Sequence, residues 1–190
     1  MENQRLFDLD AGLHAEADAM LAESGLGEII RSEGFHPVGS YVMRTMTWRD
    51  LDFEREHEQP DWSAHWELGR RLAACKWVWK FSCADAYRDP QNQDVGHYWG
   101  LRVSNPAGGP IWKLDLWTAR AGEFAQGSPR RSEWMRKLND ENRLSILAIK
   151  DAVCTLPVYR KTLLSVHIYQ AVLDDGISSI EGFRAWLEKR

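Results

Sequence analysis

The chain is short of the residues that would tie it to an oxidising compartment, a membrane or a long nucleic acid. Its three cysteines, Cys75, Cys83 and Cys154, are an odd number with no Cys-x-x-Cys pair. That pattern argues against a disulfide framework and a structural zinc site, and it suits a reducing cytoplasm. No stretch approaches the eighteen apolar residues of a membrane span, and the N-terminus, with Glu2, Arg5, Asp8 and Asp10, has no apolar core of signal length, so neither export nor a membrane is expected. There is no Lys/Arg-rich block, and 24 basic against 28 acidic residues leave a formal charge of −4. Long nucleic acid is therefore not expected as a partner, whereas a nucleotide carried with its metal is compatible. No Walker-type GxxxxGK occurs, which excludes a P-loop kinase or ATPase on motif grounds. Ser24-Gly25-Leu26-Gly27 lacks the third glycine of a dinucleotide fingerprint and follows a helix, so it reads as a turn.

What is present is an ordinary globular composition, 44% hydrophobic and 27% charged over 190 residues, enough for one domain or one domain with a helical extension. Apolar spacing at Leu13, Ala17, Met20 and Leu21 predicts an amphipathic helix, followed by a short one over Leu26–Ser32 with Gly34 as its stop. Phe35 to Val38 reads as a strand, Tyr41 to Met46 as a short helix and Asp50 to Glu54 as the next strand. Residues 61–74 form a helical pattern, Trp77 to Ser82 a buried strand, and His97–Val103 with Ile111–Trp117 a hairpin across the turn signal NPAGGP. DAYRDPQNQDVG is a polar loop. Gly127-Ser128-Pro129 marks a boundary between a domain of residues 1–127 and a helical segment of 128–190. That segment is read as a helix over 130–154 stopped by Pro157, one from about Arg160 to Leu173, and a third begun by a Ser178/Glu181 capping box. The ten tryptophans, Trp48 to Trp186, read mainly as core filling, Trp99, Trp112 and Trp117 included, although Trp99 could flank a bound base.

The chemistry concentrates in Val38-Gly39-Ser40 and, ten residues after the serine, Asp50-Leu51-Asp52-Phe53. Glycine lets backbone approach a phosphate and serine adds a hydroxyl donor. Asp50 and Asp52 on a strand project from one face and repel each other unless a cation lies between them, and hard oxygen ligands favour magnesium. Arg44, four residues beyond Ser40, would share its face on a helix and reach a phosphate. Plainer readings stand beside each: a solvent-facing strand end for the aspartates, a turn and cap for Gly39-Ser40, a surface ion pair for Arg44, and a solvated carboxylate for Glu54, which continues the same face.

Helix, strand, Gly-Ser, helix, strand with Asp-x-Asp and a later Leu114-Asp115-Leu116 together resemble the nucleotidyltransferase superfamily that includes DNA polymerase β, over about residues 12 to 120. The resemblance implies an α/β fold, a mixed sheet flanked by helices with a helical C-terminal segment. It also implies two Mg2+ ions held by Asp50, Asp52 and Asp115, phosphates cradled by Gly39 and Ser40, and transfer of a nucleoside monophosphate from an NTP, most simply ATP, to a hydroxyl. The Asp-Leu-Asp-Phe strand is closest in style to small bacterial enzymes that nucleotidylate antibiotics, which implies a small-molecule acceptor and a C-terminal carboxylate as base, with Asp140, Glu141 and Asp151 as candidates. A protein acceptor, as in antitoxin-type members, and a scaffold that binds nucleotide or a partner without turnover are the alternatives. A homodimer closing an acceptor cleft is compatible with the chain length.

Overall fold

The computed structural model describes residues 2–89, 95–124, 128–156, 159 and 162–189. The expected stop at Pro157, the helix start at Arg160 and part of the Gly127 boundary and of the polar loop lie outside these residues. By contacts the chain forms two compact units, one of Ala15–Val42 and Arg49–Pro129, the other of Met1–His14, Met43–Trp48 and Arg130–Arg190. The helical region from Arg130 thus shares its unit with two earlier segments.

The first unit is built on a five-stranded mixed sheet. Its elements are the latter part of α1 (Glu2–Glu23), α2 (Leu26–Ser32), β1 (His36–Val38), α3 (Gly39–Val42), β2 (Asp50–His57), α4 (Trp62–Ala73), β3 (Val78–Asp85), β4 (His97–Val103) and β5 (Trp112–Arg120). Strand order is β1-β2-β5-β4-β3, with β2 and β5 parallel and the other neighbours antiparallel. Alternation assigns the faces. Leu51, Phe53, Trp99, Leu101, Trp112, Leu114 and Leu116 are all buried, and their neighbours Asp50, Asp52, Tyr98, Gly100, Lys113 and Asp115 point the other way. α4 starts where the Asp61 carboxylate accepts from the backbone N–H groups of Ser63 and Ala64, and it buries His65, Leu68, Gly69 and Leu72. Gly69 lets α4 sit directly on Trp99: a Cβ there would lie 2.1 Å from the indole. Trp99, whose N–H donates to the His65 carbonyl at 3.0 Å, is thus core, 1% exposed and on the face opposite Asp115.

β3 is not the buried strand that its WVWKFS composition predicts. It is the sheet's edge, with Trp79 56% and Phe81 47% exposed, and a register shift between Val78 and Lys80 breaks the ladder. Aromatic and β-branched content reports strand propensity, and it does not report whether a neighbouring strand exists.

The second unit is helical. Its elements are the start of α1, α5 (Ser128–Lys137), α6 (Asp140–Val153), α7 (Ser165–Leu173) and α8 (Ile180–Leu187). Its core includes Trp134, Ile146, Ile149, Ile168, Val172 and Phe183. The single helix expected over 130–154 is two helices, because Asn139 takes an extended backbone and exchanges capping bonds with Asn142. α8 is capped by Ser179, whose hydroxyl accepts from Gly182 N–H at 3.1 Å, and not by Ser178. Two ionisable side chains are fully buried here: Asp10 accepts from Met46 N–H at 2.7 Å, and the Lys150 ammonium donates to the Thr45 carbonyl at 2.7 Å. Among the described residues no helix is long and apolar enough to cross a membrane.

Candidate metal centre

Register alone brings the carboxylates together. β2 and β5 run parallel with Asp52 opposite Asp115 and Asp50 opposite Lys113, and β1 pairs Val38 with Asp52. Even-numbered β2 residues and odd-numbered β5 residues share a face, so Asp50, Asp52 and Asp115 converge, each offering an oxygen within 4.8 Å of the others. Among the described residues this is the one cluster of three or more His, Cys, Asp or Glu that could hold a metal ion. Asp50 is buried, and Asp52 and Asp115 are half-buried.

The turn after β1 presses on the same point. Gly39 has φ +66°, the left-handed region, and a Cβ there would stand 3.0 Å from Asp52 Oδ2. Glycine is required twice over, for the backbone and for the space. Ser40 follows in α3, which has only four residues, so this turn offers N–H groups and a hydroxyl with little helix dipole behind them.

Two residues that motif reading passed over complete the centre. The Lys113 ammonium donates to Asp115 Oδ2 and lies 3.2 Å from Asp50 Oδ1, and the Tyr98 hydroxyl donates to Asp115 Oδ1 at 2.8 Å. Burial pulls the Lys113 pKa down, but the surrounding Asp50, Asp115 and Asp52 charges outweigh it and the net shift is upward, so Lys113 is cationic at any working pH. The Tyr98 phenol is pushed up by burial first and then by Asp115, and it stays a neutral donor. Lys113 sits two residues before Asp115 on one strand, a signal readable once β5 is recognised as a strand with that face inward. Tyr98 could be found through the hairpin, whose register sets it beside Trp117 with ring centroids 4.7 Å apart.

Do these residues suit a divalent cation? The donors are all hard carboxylate oxygens, and a protein ammonium already bridges two of them, which marks the spot as one where positive charge is stabilised. They fit.

Arg44 is not where helical spacing predicts. α3 ends at Val42, Arg44 itself has φ +54°, and its guanidinium lies 3.6 Å from the Asp10 carboxylate in the helical unit. Asp10 draws the chain out of the helix by accepting from Met46 N–H, so the shared face with Ser40 does not form. Of the C-terminal carboxylates, Asp151 is held by Arg5 at 2.5 Å, Asp140 lies 3.4 Å from Arg143, and Glu141 is in the first turn of α6. Glu54 continues the carboxylate face of β2 opposite Trp117. A cavity of about 530 Å³ opens elsewhere, bordered by Leu21, Ile30, Phe35, Pro37 and Phe53, and it includes none of the three aspartates.

The mixed five-stranded sheet with flanking helices is a fold this chain shares with solved structures. Two solved structures are similar to it. One is a GLD-2/RNP-8 complex, at TM-score 0.55 and 10% identity, with 90% of this chain and 64% of that chain covered. The other is a poly(A) polymerase complex of GLD-2 with GLD-3, at TM-score 0.52 and 13% identity, covering 92% and 60%. This chain therefore spans somewhat under two thirds of the length of each. No protein-family model matches the sequence. No curated protein matches it either.

Proposed function

We propose that the chain is a metal-dependent nucleotidyltransferase, transferring a nucleoside monophosphate from an NTP, ATP in the first instance, to a hydroxyl of a small molecule. The observation that carries this reading is the convergence of Asp50, Asp52 and Asp115 beside the Gly39-Ser40 turn on adjacent strands of a nucleotidyltransferase fold. Similarity to poly(A) polymerase complexes supports the reaction class and not the acceptor.

Asp50 and Asp52 would hold two Mg2+ ions, with Asp115 completing the second. Bound there, the metal would neutralise phosphate charge and lower the pKa of the acceptor hydroxyl. Gly39 and Ser40 would receive the terminal phosphates through N–H groups and the serine hydroxyl. The acceptor oxygen forms a bond to the α-phosphorus while the bond from that phosphorus to the bridging oxygen breaks, so pyrophosphate leaves and the hydroxyl proton passes to Asp115. Tyr98 and Lys113 orient the Asp115 carboxylate by donating to its two oxygens, one each. Asp50 and Asp115, which the Lys113 ammonium bridges, are the carboxylates for which a bound cation would compete with it.

Full-length protein incubated with ATP labelled at the α-phosphate, Mg2+ and pools of hydroxyl compounds should move label into a small molecule with release of pyrophosphate, and Asp52→Asn should abolish it. Pyrophosphate release that persists undiminished in EDTA or in Asp52→Asn would remove the reading.

A further inference from the structure

On the open face of the sheet three rows of side chains can be read directly from the register. One row runs Lys80, Arg102, Lys113, Asp50; the next Ser82, Gly100, Asp115, Asp52, Val38; the third Ala84, Tyr98, Trp117, Glu54, His36. The carboxylates occupy β2 and β5, the Gly39-Ser40 turn lies on their β1 side, and the cations Arg102 and Lys80 lie on their β4–β3 side.

Three cations directly opposite one another across adjacent strands repel, and a sheet does not place them so without compensation. Lys113 is compensated by Asp50 and Asp115. Arg102 and Lys80 are not: Arg102 donates only to the Leu101 carbonyl, at 3.2 Å, and among the described residues neither side chain has a carboxylate within ion-pair distance. Lys80 is exposed and Arg102 half-exposed, so both can meet a solute. Gly100, two residues before Arg102 on β4 and directly opposite Asp115, brings no side chain of its own to this face. A Cβ there would lie 2.2 Å from the Tyr98 hydroxyl and 2.8 Å from Ser82 Oγ, so small polar groups fill that place.

We infer that Arg102 and Lys80 form the anion subsite of the acceptor, and that the acceptor is an organic phosphate bearing its reactive hydroxyl a few bonds from the phosphoryl group. The inference rests on the nucleotidyltransferase reading. In an in-line displacement the attacking oxygen and the leaving pyrophosphate lie on opposite sides of the α-phosphorus. With pyrophosphate toward β1 and the α-phosphorus over Asp50, Asp52 and Asp115, the acceptor enters over β4 and β3. A spacing of roughly 4.8 Å per strand and 3.4 Å per residue sets Arg102 about 8 Å and Lys80 about 12 Å from Asp115 between Cα atoms. Long side chains reaching back from there meet an anion several ångströms from a hydroxyl at Asp115. A guanidinium fork beside an ammonium suits phosphate oxygens.

The test uses the full chain with Mg2+, with and without a non-hydrolysable ATP analogue. Calorimetric titrations follow with glucose 6-phosphate, adenosine 5′-phosphate and a 5′-phosphorylated trinucleotide, each beside its unphosphorylated counterpart. The three pairs separate a sugar phosphate, a free nucleotide and a chain end as the source of the phosphate. At least one phosphorylated form should bind at least about tenfold more tightly than its counterpart. That preference should vanish in Lys80→Met/Arg102→Met, be kept in Lys80→Arg, and leave analogue binding unaltered. Equal binding of every pair, or a preference that survives the double variant, overturns the subsite while the nucleotidyltransferase reading stands. Failure of the analogue to bind in a Mg2+-dependent way removes both.

Discussion

Replacing Lys113 by Met separates the two cations that compete for the aspartates. In the metal-free protein the Lys113 ammonium contacts Asp115 and lies 3.2 Å from Asp50, and the three side chains are only 19%, 14% and 12% exposed. Deleting one partner of a well-buried pair costs about 3–5 kcal/mol, because the remaining charge is left uncompensated. Here some solvent reaches the group and Tyr98 still donates to Asp115, so about 2–3 kcal/mol is the expected loss in EDTA. With a urea slope of about 2–3 kcal/mol/M, the unfolding midpoint of the sheet unit should fall by about 1 M, followed by tryptophan fluorescence. Metal should reverse the loss. A cation at about 100 times its Kd stabilises by about 2.7 kcal/mol, and without the ammonium to displace it should bind more tightly than to the wild type. Adding Mg2+ should thus raise the Lys113→Met midpoint more than the wild-type one. An unshifted midpoint in EDTA, or equal gains from Mg2+ in both proteins, would refute the idea that Lys113 holds the place of the cation.

Gly39→Ala should cost about 1–2 kcal/mol for the left-handed backbone and push the Asp52 carboxylate aside, lowering Mn2+ affinity by about tenfold in a titration read by electron paramagnetic resonance. Gly39→Asn tolerates that backbone better and should recover part of the stability with no gain in Mn2+ affinity. The His65 ring is 2% exposed between Trp62 and Trp99, its Nε2 lies 3.3 Å from the Tyr98 carbonyl, and burial pulls its pKa down from 6.5 to about 4. The unfolded chain therefore takes up the proton first: stability from this residue is full above pH 6.5, declines as pH falls, and is lost by about pH 4, a change of about 3 kcal/mol. His97, also shifted down by burial, acts in the same direction. Urea midpoints between pH 7 and 4 should slope less in His65→Phe, and an unchanged slope would mean that His65 is solvated.

The sheet unit was legible where a local pattern and its physical cause coincide. Gly39 is glycine because its backbone is left-handed and Asp52 is beside it, and the hairpin through NPAGGP sets the Tyr98–Trp117 register by itself. Convergence of Asp115 with the other two aspartates follows from the parallel pairing of β2 and β5, a long-range fact that element order suggests and spacing along the chain does not contain. What remained hidden depends on tertiary context. Whether β3 is an edge, whether Asp10 captures Met46 and ends α3 before Arg44, and whether Lys113 turns inward are decided by neighbours far away in sequence. The break at Asn139 was local, an N-cap whose partner is asparagine in place of the usual glutamate or glutamine, and hydrophobic spacing ran through it unbroken.

Metal-dependent binding of a non-hydrolysable ATP analogue, measured by calorimetry on the full chain, tests the central claim most directly. The account predicts binding with Mg2+ or Mn2+, none in EDTA, and at least about a tenfold loss in Asp50→Asn and in Asp52→Asn, both still folded by circular dichroism. Binding that persists undiminished in EDTA, or that neither substitution weakens, would contradict it.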